Sequence, residues 1–332
     1  MTKSQGMALV DRDEDGVDRA FREDVLRGLA QRQKAVPARW LYDQAGSQLF
    51  EDITGLDEYY PTRAETQILQ AQADRFAQAI GPGKAVVEFG SGSSVKTPLL
   101  LQAIEPSAYV PLDISGDFLR EAASALSARF PSLDVLPVEA DFMRPVELPS
   151  AVATLPKLGF FPGSTIGNMV PRTAVDLLRM MRQTLDAGAS QPPLLLIGMD
   201  LVKDAAVLEA AYDDARGVTA QFNLNLAHRI NRELDGDIPV DALEHEARWN
   251  DRFARIEMHL RATRDIEFHV SGSRFAMQLG DTIHTENSHK FTRRSAYTLL
   301  LAGGWTPMDR WKDADNRFSL ILAEATEHRD AP

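Results

Sequence analysis

Short apolar segments that alternate with helical segments restrict the fold of this chain more than any other feature. Before residue 200 they cover 84–89, 108–113, 134–137, 157–161 and 193–198. Each has the length of a strand and is predominantly apolar, as strands buried on both faces are. The clearest helical pattern between them is 171–185, with Val175, Leu178, Met181 and Leu185 at helical spacing. This alternation predicts a parallel sheet covered by helices on both faces.

The alternation stops near residue 200 and returns near residue 288. Between these points, a long helical pattern at 203–232 is followed by short alternating strands at 255–261 and 267–271. Alternating strands have one buried and one exposed face, unlike the continuously apolar strands before them. The segment therefore predicts a separate α+β lobe inserted into the α/β unit.

The C-terminal segment restores the order of helix and strand. A helical pattern at 294–302 ends at Gly303-Gly304, and two strands follow at 305–311 and 318–325. Because these strands are consecutive, we expect them to form a hairpin that adds an antiparallel strand to the sheet. Such an ending is typical of methyltransferase sheets and distinguishes them from the sheets of dinucleotide-binding dehydrogenases.

The charge balance and the lack of cysteine exclude several classes of function. The 332 residues include 36 Lys and Arg against 48 Asp and Glu, which gives a net charge of −12. Nucleic acids and anionic membranes would be repelled by such a surface. A chain without cysteine cannot form a disulfide, a thiolate nucleophile, a cysteine-bound zinc site or an iron–sulfur cluster.

Further patterns concern location and metal binding. No apolar run approaches the roughly 18 residues that a membrane span requires. The acidic N-terminal segment does not resemble a signal or transit peptide, so we expect a cytoplasmic protein. The seven histidines show no HExxH or other compact ligand spacing, and the sequence therefore predicts no metal site.

A glycine-rich turn follows the first apolar strand. Gly90 and Gly92 would allow a ligand to approach the backbone closely, and Ser91 and Lys96 lie in the same turn. The third glycine of a dinucleotide fingerprint is replaced by Val95, which disfavours a pyrophosphate-binding NAD site. The turn instead fits a cofactor without a pyrophosphate, such as S-adenosylmethionine.

Two acidic residues at later strand ends support a cofactor site. Asp113 ends the second strand, where its carboxylate can accept both ribose hydroxyls of an adenosine. Asp141 and Phe142 end a further strand and are predicted to flank the adenine, with Asp141 accepting the exocyclic amine. Each residue alone could be an ordinary turn residue. Their combination with the glycine turn favours cofactor binding.

Several longer motifs occur in a fixed order along the chain. They are WLYD at 40–43, EYYPTRAE at 58–65, FGSGSSVKT at 89–97, GSTIGN at 163–168, DLVKD at 200–204, YDD at 212–214 and TENSHKF at 285–291. In their residues and their order, these motifs resemble those of the histidine-specific, S-adenosylmethionine-dependent Nα-methyltransferases of ergothioneine biosynthesis. The resemblance extends from about residue 20 to the C-terminus, and EYYPTRAE and GSTIGN are its most specific parts.

The resemblance implies a class I, Rossmann-like methyltransferase sheet with a second, α+β substrate-capping domain. Residues 61–197 and 288–332 would form the S-adenosylmethionine-binding domain, and residues 1–60 and 198–287 the capping domain. The implied reaction is Nα-methylation of L-histidine, up to trimethylhistidine (hercynine), with S-adenosylhomocysteine as the second product. We expect a monomer whose partner is this small molecule, and neither nucleic acid nor membrane.

The resemblance also assigns substrate-contacting residues by motif. Asn168 and Tyr212 would hold the substrate carboxylate and orient its amine, with Gly163 and Thr165 close to the amine. Tyr42 and Tyr59 would line the pocket, and Met258 would pack against the imidazole ring. Glu286 and Ser288 would hydrogen-bond the ring nitrogens, and Tyr42 and Asn168 are the expected catalytic positions. The remaining implied contacts belong to the cofactor: Gly90, Ser91, Gly92, Lys96, Asp113, Asp141 and Phe142.

Other interpretations of the same residues stay open at this point. Tyr42 and Tyr59 could simply pack the lobe, and Met258 alternates with Ile256 and Leu260 like a core residue. The roles of the neighbouring histidines, His284 and His289, are not defined by the pattern. Alternative functions are a relative that methylates another amino acid such as tryptophan, a non-catalytic small-molecule binding protein, and a dehydrogenase. The joint presence of the motifs favours the histidine methyltransferase.

Overall fold

The structure is a computed structural model that describes residues 16–92, 96–114 and 116–326. Over these residues the chain divides into two compact units. The first, called here the capping unit, takes Met1–Tyr60 and Lys203–His289. The second, the sheet unit, takes Pro61–Val202 and Lys290–Pro332. Val95 and the rest of the segment 93–95 lie outside the described residues.

The described part of the chain contains helices and strands in the following order along the sequence. The α-helices are α1 (Arg19–Leu29), α2 (Gln44–Thr54), α3 (Tyr60–Ala71), α4 (Ala73–Ile80), α5 (Thr97–Ile104), α6 (Gly116–Arg129), α7 (Pro171–Asp186), α8 (Ala205–Tyr212), α9 (Val218–Glu233) and α10 (Arg293–Ala302). The first seven strands are β1 (Lys34–Ala35), β2 (Ala85–Phe89), β3 (Ala108–Asp113), β4 (Asp134–Val135), β5 (Val138–Glu139), β6 (Lys157–Phe161) and β7 (Leu194–Asp200). The other seven are β8 (Leu243–Asn250), β9 (Arg255–Ala262), β10 (Ile266–Val270), β11 (Ser273–Met277), β12 (Thr282–His289), β13 (Trp305–Lys312) and β14 (Phe318–Ala325).

One mixed sheet forms the centre of the sheet unit. Its strand order is β13-β14-β7-β6-β2-β3-β4, with β5 pairing to β3. The strands β2, β3, β4, β6 and β7 run parallel, whereas β14 is antiparallel to both β7 and β13. The expected parallel sheet with a terminal antiparallel hairpin is confirmed, and so is the class I methyltransferase fold.

Burial explains why these strands are continuously apolar. Every residue of β2, β6 and β7 is buried, because helices cover both faces of a parallel sheet. The helix α7 contributes Leu178, Met181 and Leu185 to the core, as its spacing predicts, while Val175 is only partly buried. Removing such apolar surface from water is the main force that holds the sheet and helices together.

The boundary between the units differs slightly from the limits expected at 197 and 288. β7 continues to Asp200, and Leu201 forms a parallel bridge with Phe291. These backbone pairs belong to the sheet, so the chain leaves the sheet unit after Val202 and re-enters it at Lys290.

The helical pattern predicted over 203–232 is wrong as one helix, because two helices occupy it. α8 ends at Tyr212 and α9 begins at Val218. The side chain of Asp214 accepts the backbone N–H groups of Val218 at 3.0 Å and Thr219 at 2.7 Å, and Gly217 adopts a φ of 72°. A carboxylate that caps free N–H groups, together with a left-handed glycine, starts a new helix at this point.

The capping unit contains a four-stranded sheet of order β1-β12-β9-β8. β12, β9 and β8 are antiparallel neighbours, and β1 adds in parallel to β12 through Lys34 and Ala35. This pairing brings the N-terminal segment into the same unit as residues 203–289. β10 and β11 form a separate antiparallel hairpin.

Within the described residues, no helix combines the length and apolar character that crossing a bilayer would require.

Candidate functional site

The glycine turn after β2 forms a close backbone approach at the carboxyl edge of the sheet. Gly90 and Gly92 have φ values of 72° and 48°, in the left-handed region that favours glycine. A Cβ atom on Gly90 would lie 3.2 Å from the ring of Phe142. The Phe142 ring also packs edge-on against Phe161, at a centroid distance of 6.0 Å. Two predicted cofactor residues from separate segments, Gly90 and Phe142, therefore lie beside each other.

Asp113 fixes the conformation of this turn. Its carboxylate accepts the backbone N–H of Gly92 at 3.1 Å. The N–H groups of Gly90 and Ser91 donate to the carbonyl of Leu112, at 2.9 and 3.1 Å. The turn and the end of β3 thus form one hydrogen-bonded unit, which places an acidic side chain beside the exposed backbone of the turn.

Asp141 lies beyond the strand that it was predicted to end. β5 stops at Glu139, and the N–H of Ala140 donates to the carbonyl of Asp113 at 2.9 Å. The carboxylate of Asp141 accepts the N–H of Met143 at 2.9 Å, which is the hydrogen bond of a turn residue. The residue nevertheless lies at the same edge of the sheet as Asp113.

Glu88, the acidic residue near the end of β2, points into the protein interior. Its side chain accepts hydrogen bonds from the hydroxyls of Thr97, at 2.8 Å, and Tyr109, at 2.5 Å. Burial raises the pKa of Glu88 to about 7, despite these two hydrogen bonds. The group is therefore a support beneath the turn rather than a ligand contact.

The predicted cofactor residue Lys96 makes an ion pair with Glu65, which the sequence did not single out. Glu65 also accepts the backbone N–H of Gly163 through both oxygens, at 3.1 and 2.9 Å. The only sequence signal for Glu65 is that it is the last residue of the EYYPTRAE motif.

The loop after β6 contains Gly163, Thr165 and Asn168. Gly163 and Ser164 both have positive φ values, of 76° and 58°, and a short 3-10 helix covers Thr165–Asn168. The hydroxyl of Thr165 donates to the carbonyl of Pro162 at 3.0 Å, and the hydroxyl of Ser164 accepts the N–H of Asp200 at 2.9 Å. These bonds hold the loop in a defined conformation at the edge where β6 and β7 end.

The other predicted substrate residues belong to the capping unit, where tyrosines form a cluster. The hydroxyls of Tyr212 and Ser288 are 2.7 Å apart, and the rings of Tyr59 and Tyr212 make an edge contact with centroids 6.1 Å apart. Burial, followed by the nearby charge of Glu286, raises the pKa of Tyr42 well above its ordinary value. Tyr42 is therefore a neutral phenol at neutral pH.

Local hydrogen bonds position Tyr42. Asp43 caps α2 by accepting the N–H of Gly46 at 2.8 Å, and it also accepts the side chain of Asn225 from α9 at 2.7 Å. The Tyr42 ring packs edge-on against Phe222, also from α9, with centroids 5.3 Å apart. The WLYD motif thus fixes a tyrosine between two helices of the capping unit.

The two strands β9 and β12 bring Met258, Glu286 and Ser288 together. Glu286 pairs in register with Met258, and Ser288 pairs with Ile256. A register shift occurs between His284 and Glu286, where Thr285 donates to the side chain of Asn223 at 2.6 Å. Such a bulge changes the direction of the side chains that follow it. Met258, Glu286 and Ser288 are all buried.

The same two strands also carry a cluster of Glu257, His259 and His284. One potential metal-ligating atom from each residue lies within 4.8 Å of the others. The two imidazoles stack with centroids 4.6 Å apart. Burial, and then His284, lower the pKa of His259 to about 4. Sequence spacing did not reveal the cluster because its members come from two neighbouring strands.

These groups have the right chemistry for a metal ligand set, but their surroundings oppose a bound cation. Burial alone would raise the pKa of Glu257, yet hydrogen bonding and charge from Arg255, helped by Asn250, lower it to about 2. The guanidinium of Arg255 lies 2.5 Å from the Glu257 carboxylate, where it would repel a divalent ion. Glu257 also accepts from His259 at 3.3 Å. We therefore interpret the cluster as a hydrogen-bonded support for β9 and β12.

Comparison with known proteins gives a consistent result. The histidine-specific, SAM-dependent methyltransferase family matches residues 21–325. The histidine N-alpha-methyltransferase of Mycolicibacterium smegmatis is 39% identical over 93% of this chain and 96% of its own length. The protein of the same name from Mycobacterium tuberculosis is 40% identical, with the same shares covered. A 4-dimethylallyltryptophan N-methyltransferase of Aspergillus fumigatus is 24% identical over 92% of this chain and 94% of its own.

The resemblance inferred from the motifs is thus confirmed at the level of the family, over nearly the whole described sequence. With its class I sheet and its glycine turn closed by Asp113, this chain is an enzyme that belongs to the histidine-specific, S-adenosylmethionine-dependent methyltransferases.

Proposed function

We propose that this enzyme transfers the methyl group of S-adenosylmethionine to the α-amino nitrogen of L-histidine. Up to three transfers would give trimethylhistidine, as a step of ergothioneine biosynthesis. The observation that carries the proposal is the buried polar group on β12, where Glu286 and Ser288 lie two residues apart and the Tyr212 hydroxyl is 2.7 Å from that of Ser288. The relatives named for histidine N-alpha-methylation, at about 40% identity, support the same substrate.

The chemistry of the substrate ring fits this polar group. A neutral imidazole has one nitrogen that donates and one that accepts. An ionised Glu286 can accept from the first, and a hydroxyl such as that of Ser288 can donate to the second. Sites built to satisfy such groups discriminate strongly against analogues that leave them unpaired. Met258 would contribute the apolar contact with the ring.

The residues at the edge of the sheet fit S-adenosylmethionine. A Cβ atom on Gly90 would crowd the Phe142 ring, so the turn offers bare backbone next to an aromatic face. Gly90, Ser91 and Gly92 would hold the amino-acid part of the cofactor, Asp113 the ribose, and Asp141 with Phe142 the adenine. When bound, the cofactor supplies a methyl group on a sulfonium that is electrophilic without any metal or covalent enzyme intermediate.

The enzyme's own residues would act by orientation. The lone pair of the substrate amine forms the new N–C bond, and the C–S bond breaks with its electron pair going to sulfur. After each of the first two transfers the resulting ammonium loses a proton to solvent, whereas the third transfer gives a quaternary ammonium that has no proton to lose. The amine must be neutral to react, and burial beside a positive charge lowers its pKa. Tyr42 is a phenol with a raised pKa, so it would accept a hydrogen bond from the amine rather than remove its proton. Asn168 and Tyr212 would hold the carboxylate.

Mass spectrometry on an amino-acid mixture tests the proposal. The enzyme is incubated with S-adenosylmethionine and all common amino acids, and products heavier by one to three methyl groups are identified. We expect histidine to be the only amino acid that is methylated. Methylated tryptophan would instead favour the alternative substrate, and the absence of any methylated product would contradict the proposal.

A further inference from the structure

Glu65 is a fully buried carboxylate in α3, and it contacts two segments that the proposed function assigns to different ligands. Its exposed fraction is 0%. Both oxygens accept the N–H of Gly163, at 3.1 and 2.9 Å, and Oε2 pairs with the ammonium of Lys96. Lys96 directly precedes α5, whereas Gly163 begins the loop that contains Thr165 and Asn168.

The chain leaves space for this carboxylate at a third segment. Gly198 lies in β7, and a Cβ atom on it would overlap Oε1 of Glu65. Gly163 adopts a φ of 76°, which orients its N–H without a side chain at that position. Two glycines far apart in the sequence thus accommodate one acidic side chain.

The free-energy cost of burying a carboxylate makes the position of Glu65 informative about its role. A buried carboxylate is strongly unfavourable unless it is both paired with an opposite charge and hydrogen-bonded. Glu65 meets both conditions, but an apolar residue would stabilise α3 against the sheet without either requirement. The contacts of Glu65 instead define where the loop of Gly163 lies relative to the end of the glycine turn.

We infer that Glu65 is a positioning residue, which holds the Gly163 loop and Lys96 in the mutual placement that methyl transfer requires. This inference rests on the proposed function, because it assumes that the turn binds the methyl donor and that the loop contacts the amino-acid substrate. Glu65 acts through Lys96 and Gly163 and needs no contact with either ligand.

The expected signature is a loss of turnover rather than of binding. Reaction rates depend steeply on the alignment of the reacting atoms, and a displacement of about 1 Å can reduce a rate on the order of 100-fold. In Glu65→Gln the side-chain oxygen can still accept from Gly163, but the charge that holds Lys96 is lost. We expect kcat to fall roughly 10- to 100-fold, with KM for histidine changed less than about 3-fold.

A matched control is available in the same unit. Asp313 is also a buried carboxylate that accepts backbone N–H groups, those of Arg317 at 2.8 Å and Phe318 at 2.7 Å, in the hairpin between β13 and β14. The Asp313→Asn variant removes the same charge from a place that contacts neither segment. We expect it to affect thermal stability but to leave kcat near that of the wild type. Glu65→Asp serves as a second variant, which keeps the charge but is too short to keep both contacts, and should show an intermediate kcat.

The experiment measures kcat and KM for histidine, together with amide hydrogen exchange of the peptide around Gly163, well below each variant's melting temperature. The inference predicts a lower kcat and faster exchange of this peptide in both Glu65 variants, and neither change in Asp313→Asn. An unchanged kcat, or an increase in KM alone, overturns it. A wild type that methylates no histidine would contradict the proposed function instead, and the exchange rates would still show whether Glu65 holds the loop.

Discussion

The candidate sites of the sheet unit and the capping unit offer a ligand different kinds of chemical group. At the edge of the sheet, the glycine turn offers backbone groups, with the turn closed by hydrogen bonds to Leu112 and Asp113. On β12 the available groups are side chains, namely Glu286 and Ser288 with the Tyr212 hydroxyl close by. A backbone turn suits a cofactor shared by many methyltransferases, whereas side chains set the choice of one substrate. Substitutions should therefore separate cofactor binding from substrate choice.

The largest effect is expected at Asp113, on the cofactor side. Asp113→Ala removes the carboxylate proposed to bind the ribose and also the acceptor for the N–H of Gly92. Hydrogen bonds to a charged group contribute about 1.5–3 kcal/mol each, so the loss of two or more should abolish measurable S-adenosylmethionine binding. Titration calorimetry checks this, with the exposed Asp134→Ala on β4 as the control. An unchanged affinity would disprove the ribose assignment.

The next effect concerns the substrate side. Glu286→Ala removes the acceptor proposed for the imidazole N–H, and we expect kcat/KM for histidine to fall on the order of 100- to 1000-fold. Binding of S-adenosylmethionine should be unchanged in calorimetry. Glu244→Ala, which removes an exposed glutamate from β8 of the same sheet, should keep wild-type kinetics. If Glu286→Ala also kept them, the proposed recognition of histidine would be wrong.

A third prediction separates support of the turn from ligand binding. The pKa of Glu88 is raised from 4.5 to about 7, so its neutral form favours the folded state. The stabilisation is fully present below pH 4.5 and is lost as the pH rises through 7. Over this range the loss amounts to about 3 kcal/mol at 1.36 kcal/mol per pKa unit.

Replacing Glu88 with Gln should remove this pH-dependent contribution to the stability of the folded state. Urea unfolding between pH 4.5 and 8 should then show that the stability of Glu88→Gln, relative to the wild type, increases toward high pH. The amino acid that is methylated should stay the same. A difference between the two proteins that does not vary with pH would show that Glu88 ionises normally.

The smallest effect is expected for Ser288→Ala. The substitution removes one neutral hydroxyl, which lies 2.7 Å from that of Tyr212. A neutral hydrogen bond contributes about 0.5–1.5 kcal/mol, so kcat/KM for histidine should decrease roughly 3- to 10-fold. An effect as large as that of Glu286→Ala would mean that the hydroxyl, and not the carboxylate, dominates recognition.

The two sites also differ in how far the sequence predicts them. The sheet is predictable because a strand such as β6 is continuously apolar from Leu158 to Phe161, and the turn is predictable because glycines follow β2 directly. The break at Asp214 was missed, because an aspartate inside a helical pattern reveals its capping role only through its hydrogen bonds. Local patterns thus predict elements better than they predict where one element ends.

Local sequence patterns do not predict contacts between segments that are distant in the sequence. Glu65 reaches Gly163 across 98 positions, and the pairing of His259 with His284 depends on the register of β9 and β12. Met258 illustrates a further limit, since Ile256 and Leu260 are buried to the same degree and burial alone does not mark a ligand contact. The roles of these residues follow from packing and chemistry, which local propensity does not contain.

The central claim is that methyl groups go to the α-amino nitrogen of histidine. It is tested most directly by incubating the wild type with histidine and S-adenosylmethionine that has a ¹³C-labelled methyl group, and locating the label in the product by NMR. We predict label on the α-nitrogen only, in a product with up to three methyl groups. Label on an imidazole nitrogen, or no labelled histidine at all, would contradict it.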